Sequence, residues 1–119
     1  METFTLLTTT WNVDKANEMA EGREVDTFDP KHVEHMLQRT TENGDGSHTT
    51  NMGITVNWDH VPNVDLSKPV IFVERQYKDG TQGHMMIDGW HRVAKALDEG
   101  VDQLPCVVLS VKEGKSLEL

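Results

Sequence analysis

The chain has 119 residues, the size of one ordinary domain. Lys plus Arg number 11 against 20 for Asp plus Glu, a formal charge of −9 with His neutral. That balance argues against a domain whose main task is gripping DNA or RNA phosphates, since such binding needs a basic surface that releases counterions.

Leu, Ile, Val and Phe total 28, enough for one compact core and too many for wholesale disorder. The acidity is uneven: residues 1–60 carry −7 and residues 61–119 carry −2. The single cysteine, Cys106, excludes an intramolecular disulfide and a four-cysteine zinc cage. Within the apolar run Leu104–Leu109 it reads as a buried, inert thiol. Met1 to Thr10 lacks the basic and continuous apolar regions of a signal peptide. No run approaches the ~20 apolar residues that span a bilayer. The expectation is a cytoplasmic protein without a membrane partner.

The composition predicts a single domain over 1–119 in two unequal parts. In residues 1–63, Phe4, Leu6 and Leu7 begin a strand, helped by four nearby threonines. Asp14 to Glu24 has the composition of a short helix, with Asp14 as its cap and Gly22 as its stop. Val25 to Phe28 reads as extended. Asp29 before Pro30 is an N-cap with proline at the first helical position, and Val33, Met36 and Leu37 form the apolar stripe of that helix. Thr40 to Gly53 is polar and rich in turn formers, so it reads as a long loop.

From Val64 onward the pattern sharpens. Val70-Ile71-Phe72-Val73 is a strand, Lys78-Asp79-Gly80 a turn, and His84 to Asp88 the second strand of a hairpin. Arg92 to Glu99 places Val93, Ala94, Ala96 and Leu97 at helical spacing, with Gly100 just past the end. Leu104 to Val111, nearly all apolar, reads as a central strand. The fold class is α/β (α+β): a small mixed sheet carrying a strand, glycine loop, helix and strand.

The chemistry concentrates at Asp88-Gly89-Trp90-His91-Arg92. A strand that ends in glycine and passes directly into a helix leaves backbone N–H groups unpaired at the positive end of the helix dipole, an arrangement that suits anions. Arg92 adds a forked cation suited to phosphate, and His91 a donor or titratable base. Asp88 adds a carboxylate that can hold a metal, orient its neighbours or accept a proton. Trp90 either stacks on a base or fills the core. The plain structural reading has Asp88 capping the helix and Arg92 pairing with it on the surface.

These residues sit in a longer pattern. Asp65-Leu66-Ser67-Lys68-Pro69-Val70-Ile71, then Met86 to Leu97 around the loop, then Gly100 and Leu104 to Val108, resemble the ParB/sulfiredoxin-like superfamily over residues 64–111. The resemblance implies that Gly89, His91 and Arg92 hold the phosphates of a nucleotide such as ATP or CTP, with magnesium. Asp88 is similar to the aspartate of the branch with a D-G-x-H-R loop, which includes ParB-like nuclease-type domains and a free-serine kinase. Sulfiredoxin has its catalytic cysteine where this chain has Trp90, which removes sulfinic acid reduction. ParB partitioning proteins carry a charged residue there and continue into a helix-turn-helix domain, so partitioning is not expected of a sequence ending at Leu119.

Other residues carry two readings each. His32 and His35, three apart around Glu34, are either a metal-binding pair or two solvated histidines, and no third ligand stands nearby. His48, with Asp45 and Ser47, either lies in a plain loop or contacts substrate from a lid. Lys68 either reaches a phosphate or begins an edge strand. His84 shares a strand face with Met86 and Asp88 at period two, and so either points to the same pocket or ends the strand. The resemblance to the serine kinase branch implies a catalytic acid upstream of the loop, for which Asp59 and Asp65 are candidates, and neither aligns.

Two function classes follow. In the first, the Gly89–Arg92 loop binds a nucleotide, with Lys68 and Trp90 beside it. Asp88 positions magnesium or an attacking hydroxyl, and His91 contacts a phosphate or moves a proton. The reactions in range are phosphoryl transfer to a small hydroxylated acceptor, nucleotide hydrolysis and phosphodiester cleavage, the charge weighing against the last. In the second, the protein is a non-enzymatic inhibitor or adaptor that docks its acidic first half on a basic partner.

Overall fold

The structure is a computed structural model describing residues 1–6, 8–37, 41–44, 47–50, 54–57 and 59–119, and the backbone alone at Thr41 and His48. Strands β1 (Thr3–Leu6) and β2 (Thr9–Asn12) form an antiparallel hairpin that sets Phe4 opposite Trp11. Helix α1 (Val13–Ala20) follows directly. Its cap is Asn12, whose side chain accepts from the Lys15 amide, and not Asp14 as the sequence suggested. Asp14 instead accepts from the Glu2 amide at 2.9 Å and ties the chain start to the helix. Val13 and Ala16 form the buried face of α1.

Strand β3 (Asp26–Phe28) matches the extended expectation, and a 3-10 helix (Pro30–Leu37) follows. Asp29 caps it, accepting from the Lys31 amide at 3.0 Å. The loop expected over 40–53 is a correction in its described part. There β4 (Thr41–Glu42), β5 (Ser47–Thr49) and β6 (Thr55–Asn57) form a three-stranded antiparallel sheet. Asn43 turns the first pair by donating its side-chain amide to Ser47 Oγ and Thr49 Oγ1. The threonines that looked like loop composition are also good strand residues once a partner strand is present.

The main sheet has the order β3-β9-β7-β8, from β7 (Val70–Gln76), β8 (Gln82–Asp88) and β9 (Leu104–Leu109) with β3 at one edge. β9 is central, pairing parallel to β7 and antiparallel to β3. β9 stops at Leu109, two residues short of the expected Val111. Ser110 there opens helix α3 (Val111–Leu117) with a reciprocal capping box to Glu113. Helix α2 (Trp90–Glu99) begins two residues earlier than its apolar spacing suggested and ends on Gly100 at φ +72°.

One irregularity matters for the site. Ile71 pairs with Asp88 but Phe72 pairs with Met86, so Ile87 is an extra residue in β8. This bulge breaks the period-two alternation between Met86 and Asp88. His84 and Met86 therefore keep the face of Phe72, while Asp88 falls in with Ile71.

Helix α3 covers the Val73 side of the sheet, with Gly114 against the Val73 side chain. Helix α2 packs on the 3-10 helix 30–37, on a short one at Val61–Asn63, and on β6. The core is continuous from Leu6 and Trp11 through the sheet to Val93 and Ala96. Cys106 is buried within it, and burial pushes its thiol pKa up, as expected of an inert cysteine. Among the described residues no helix is long and apolar enough to cross a membrane.

Candidate functional site

The β8–α2 junction opens on a cleft of about 370 Å³. Asp88, Gly89, Trp90 and His91 line it together with Phe4, Ile54 and Thr55. Gly89, the residue before the helix, sits at φ +112° with no side-chain cap on the helix. The first helical amide with a partner is that of Val93, which donates to the Gly89 carbonyl at 3.0 Å. The amides of Trp90, His91 and Arg92 precede it and have no acceptor among the described residues. The sequence-level expectation of open amides at a helix start is what the backbone provides.

The side chains divide differently from expectation. Arg92 is 7% exposed and its guanidinium is already engaged. Nη1 donates to the carbonyls of Lys68 (2.7 Å) and Pro69 (2.6 Å), and Nη2 to Asp88 Oδ2 (3.0 Å). It is a clamp between α2, the end of β8 and the entrance to β7, and it does not line the cleft. The Arg92–Asp88 pair is thus the buried version of the structural reading, with a carboxylate that does not cap the helix. Asp88 Oδ2 also accepts from Asn17 Nδ2 at 3.3 Å.

Trp90 is core, 4% exposed, with Phe4 stacked at 6.4 Å between centroids and interplanar angle 28°. Its indole Nε1–H is buried with no partner among the described residues.

His91 is half-buried, and its Nε2 accepts from the Asn57 backbone amide at 3.0 Å. An acceptor nitrogen carries no proton, so the neutral ring holds its proton on Nδ1. His60 packs edge-on at 5.5 Å. Burial, then the charges of His60 and Arg92, hold the His91 pKa below the usual histidine value, with Asp88 opposing. The folded state therefore binds this proton less readily than the unfolded chain. The stability from neutral His91 is complete above the unfolded pKa, about 6.5, and is lost as pH falls through the lower folded value. A series of Tm values between pH 7 and 5 should fall more steeply for wild type than for His91→Gln, which keeps an acceptor but does not titrate. Parallel curves would remove His91 from the acid response.

The remaining nominated residues lie elsewhere. Lys68 lines a separate hollow with Asn17, Arg23 and Pro69. His84, carried to the other face by the bulge, lines a shallow groove with Phe28, His32, Phe72 and Cys106. His35 is exposed, as a solvated histidine would be. The His48 backbone pairs with Glu42 and Val56 in the small sheet; its side chain and Asp45 lie outside the described residues. Ser47 is buried. Asp65 is turned onto Ser67, whose hydroxyl and amide lower its pKa. Asp59 is exposed, its amide donating to the Asn57 side chain.

Sequence reasoning missed Phe4, Asn17, Ile54, Thr55 and the Asn57 amide, all from the first 63 residues. Only Phe4 carried a signal, as an apolar residue on a strand. The comparisons return no match to this chain: no family model, no curated protein and no solved structure.

Proposed function

We propose that the protein is a small-ligand-binding domain whose cleft at the start of α2 takes the phosphate of a nucleotide or similar compound. The observation that carries this reading is the α2 N-terminus, without a side-chain cap and with Trp90 and His91, whose amides have no acceptor among the described residues, on the cleft lining. Its volume falls within the ~300–1000 Å³ usual for small-molecule sites. The amides and the helix dipole attract an anion, and His91 is on the same lining. The ParB/sulfiredoxin-like resemblance of residues 64–111 points to the same loop.

Binding is favoured over catalysis. His91 has no lone pair to act as a base while Nε2 accepts from Asn57. Asp88 is committed to Arg92 and Asn17. The donor set also fits magnesium poorly. Among the described residues no three carboxylate, histidine or cysteine groups converge, and Asp88 Oδ2 already accepts two hydrogen bonds. No step is derived through a metal.

The test is a thermal-shift titration of wild type and Thr3→Glu with AMP and inorganic phosphate. Thr3 is exposed on β1 and lines the cleft, so the new carboxylate should weaken an anion without disturbing the core. A ligand at about 100 times its Kd stabilises by roughly 2.7 kcal/mol. The expected outcome is a shift of several degrees in wild type, and a Kd at least tenfold weaker in Thr3→Glu. No shift in wild type, or equal shifts in both, would refute phosphate binding here. The adaptor reading rests on the charge of −9 and predicts instead a protein complex that weakens steeply with salt and ignores Thr3→Glu.

A further inference from the structure

We infer that two copies of the chain join edge to edge through strand β8, antiparallel about a two-fold axis at His84, so that their main sheets run on as one. This goes beyond the cleft reading and does not rest on it.

β8 ends the main sheet. It pairs with β7 on one side, and among the described residues no strand pairs with its other side. The hairpin fixes which backbone groups that free side presents. The Tyr77 amide donates to the Thr81 carbonyl at 2.9 Å, so these two form a hydrogen-bonded pair. Such pairs alternate along an antiparallel ladder with pairs whose N–H and C=O groups point away from each other. In the observed register Arg75–Gly83 and Val73–Met85 are therefore the bonded pairs, and Gln82, His84 and Met86 turn their amides and carbonyls outward. The bulge at Ile87 comes only after them. Gln82 and His84 are exposed.

Free edges are usually guarded by charge, proline, an early bulge or shortness. This one is not. Gln82 to Ile87 holds no Asp, Glu, Lys, Arg or Pro. β8 has seven residues, whereas β1 has four, β3 and β6 three each and β4 two. The occupant that fits is a second copy. Each chain carries −9, so two of them approach most readily where neither presents a charge. An antiparallel strand complements itself about a two-fold axis, the commonest symmetry of soluble oligomers. With the axis at His84, Gln82 pairs with Met86, His84 with its own copy and Met86 with Gln82, each pair exchanging both of its bonds. An axis at Gly83 or Met85 brings fewer of the outward residues opposite one another.

The experiment is sedimentation equilibrium of the full chain at low and high salt, with variants at His84 whose folding is checked by circular dichroism. Wild type should show a monomer–dimer equilibrium with a micromolar Kd, as a small interface gives. Salt should tighten it, because screening weakens the repulsion between two acidic chains. His84→Pro removes the central outward donor, which β7 does not use, and should weaken the dimer about tenfold or more. His84→Lys sets like charges opposite each other and should weaken it about threefold or more, while His84→Thr, neutral and suited to a strand, should not. His84→Cys should cross-link into a dimer on mild oxidation, since bonded antiparallel partners hold their Cα atoms about 5.5 Å apart, within disulfide reach. Wild type, whose free Cys106 is buried, should not cross-link. A wild-type chain that stays monomeric to about 1 mM overturns the inference. So does a dimer that His84→Lys leaves intact, or one in which His84→Cys fails to cross-link.

Discussion

Arg92→Ala should cost about 3–5 kcal/mol of folding stability, the usual penalty for removing one partner of a buried pair. The substitution strips donors from the Lys68 and Pro69 carbonyls and leaves Asp88 in a site where its side chain is only 14% exposed. Among the described residues, Asn17 is then the carboxylate's remaining side-chain hydrogen-bond partner, at 3.3 Å. For a domain whose total stability lies in the ordinary 5–15 kcal/mol range, this is a large fraction. Urea unfolding of wild type, Arg92→Ala, Asp88→Asn and the double variant measures it. The double variant should recover part of the loss, because no charge is then buried unpaired. A single-variant loss below about 1 kcal/mol would mean the clamp is not structural. The same arithmetic disqualifies Arg92→Ala as a probe of ligand binding, since a lost ligand shift would report a damaged fold.

Gly89→Ala is expected to cost about 2–5 kcal/mol, from two causes that add. The residue sits at φ +112°, which L side chains rarely adopt, and an added Cβ would lie 2.4 Å from Val70 Cγ1. Val70 is fully buried and cannot swing aside. Gly100, at the other end of the same helix, provides the contrast. Its φ is +72° and an added Cβ meets nothing within 4 Å, so Gly100→Ala should cost only about 1 kcal/mol. Adding Val70→Ala to Gly89→Ala relieves the clash but not the backbone strain. Equal denaturation midpoints for Gly89→Ala and Gly100→Ala would show that the junction can relax, and that the cleft floor is less rigid than its packing implies.

The two variants explain why Gly89 and Arg92, three positions apart in one short motif, do different work. The glycine lets the chain turn tightly against Val70 and exposes the amides of α2. The arginine points its fork into the protein and locks that turn to the start of β7. From sequence both looked like parts of a phosphate cradle, because a guanidinium beside a glycine turn suits phosphate as well as it suits carbonyls. Which partner it takes depends on residues 23 and 24 positions upstream, and only the packed chain brings those carbonyls to it.

The legible part of the fold was the part governed by local physics. The β7–β8 hairpin, the amphipathic body of α2, its Gly100 stop, the Asp29–Pro30 start and the apolar β9 depend on period, propensity and turn chemistry within a few residues. Helix α3 was missed although Ser110 and Glu113 spell a capping box, because the apolar run before it reads on as strand. The small sheet was missed because two- and three-residue strands rich in threonine resemble loops until they pair.

Chain order is enough to set the loop Asp88–Arg92 between a strand and a helix, and to leave the amides of a glycine entrance open. Those are properties of neighbouring residues along one backbone. How the side chains are used depends on packing between distant segments. The extra residue Ile87 sent His84 to the opposite face from Asp88. The Asn57 amide took the His91 lone pair, and two distant carbonyls took Arg92. A side chain's role is set by whichever partner lies within about 3 Å, and no pattern along the chain encodes that meeting.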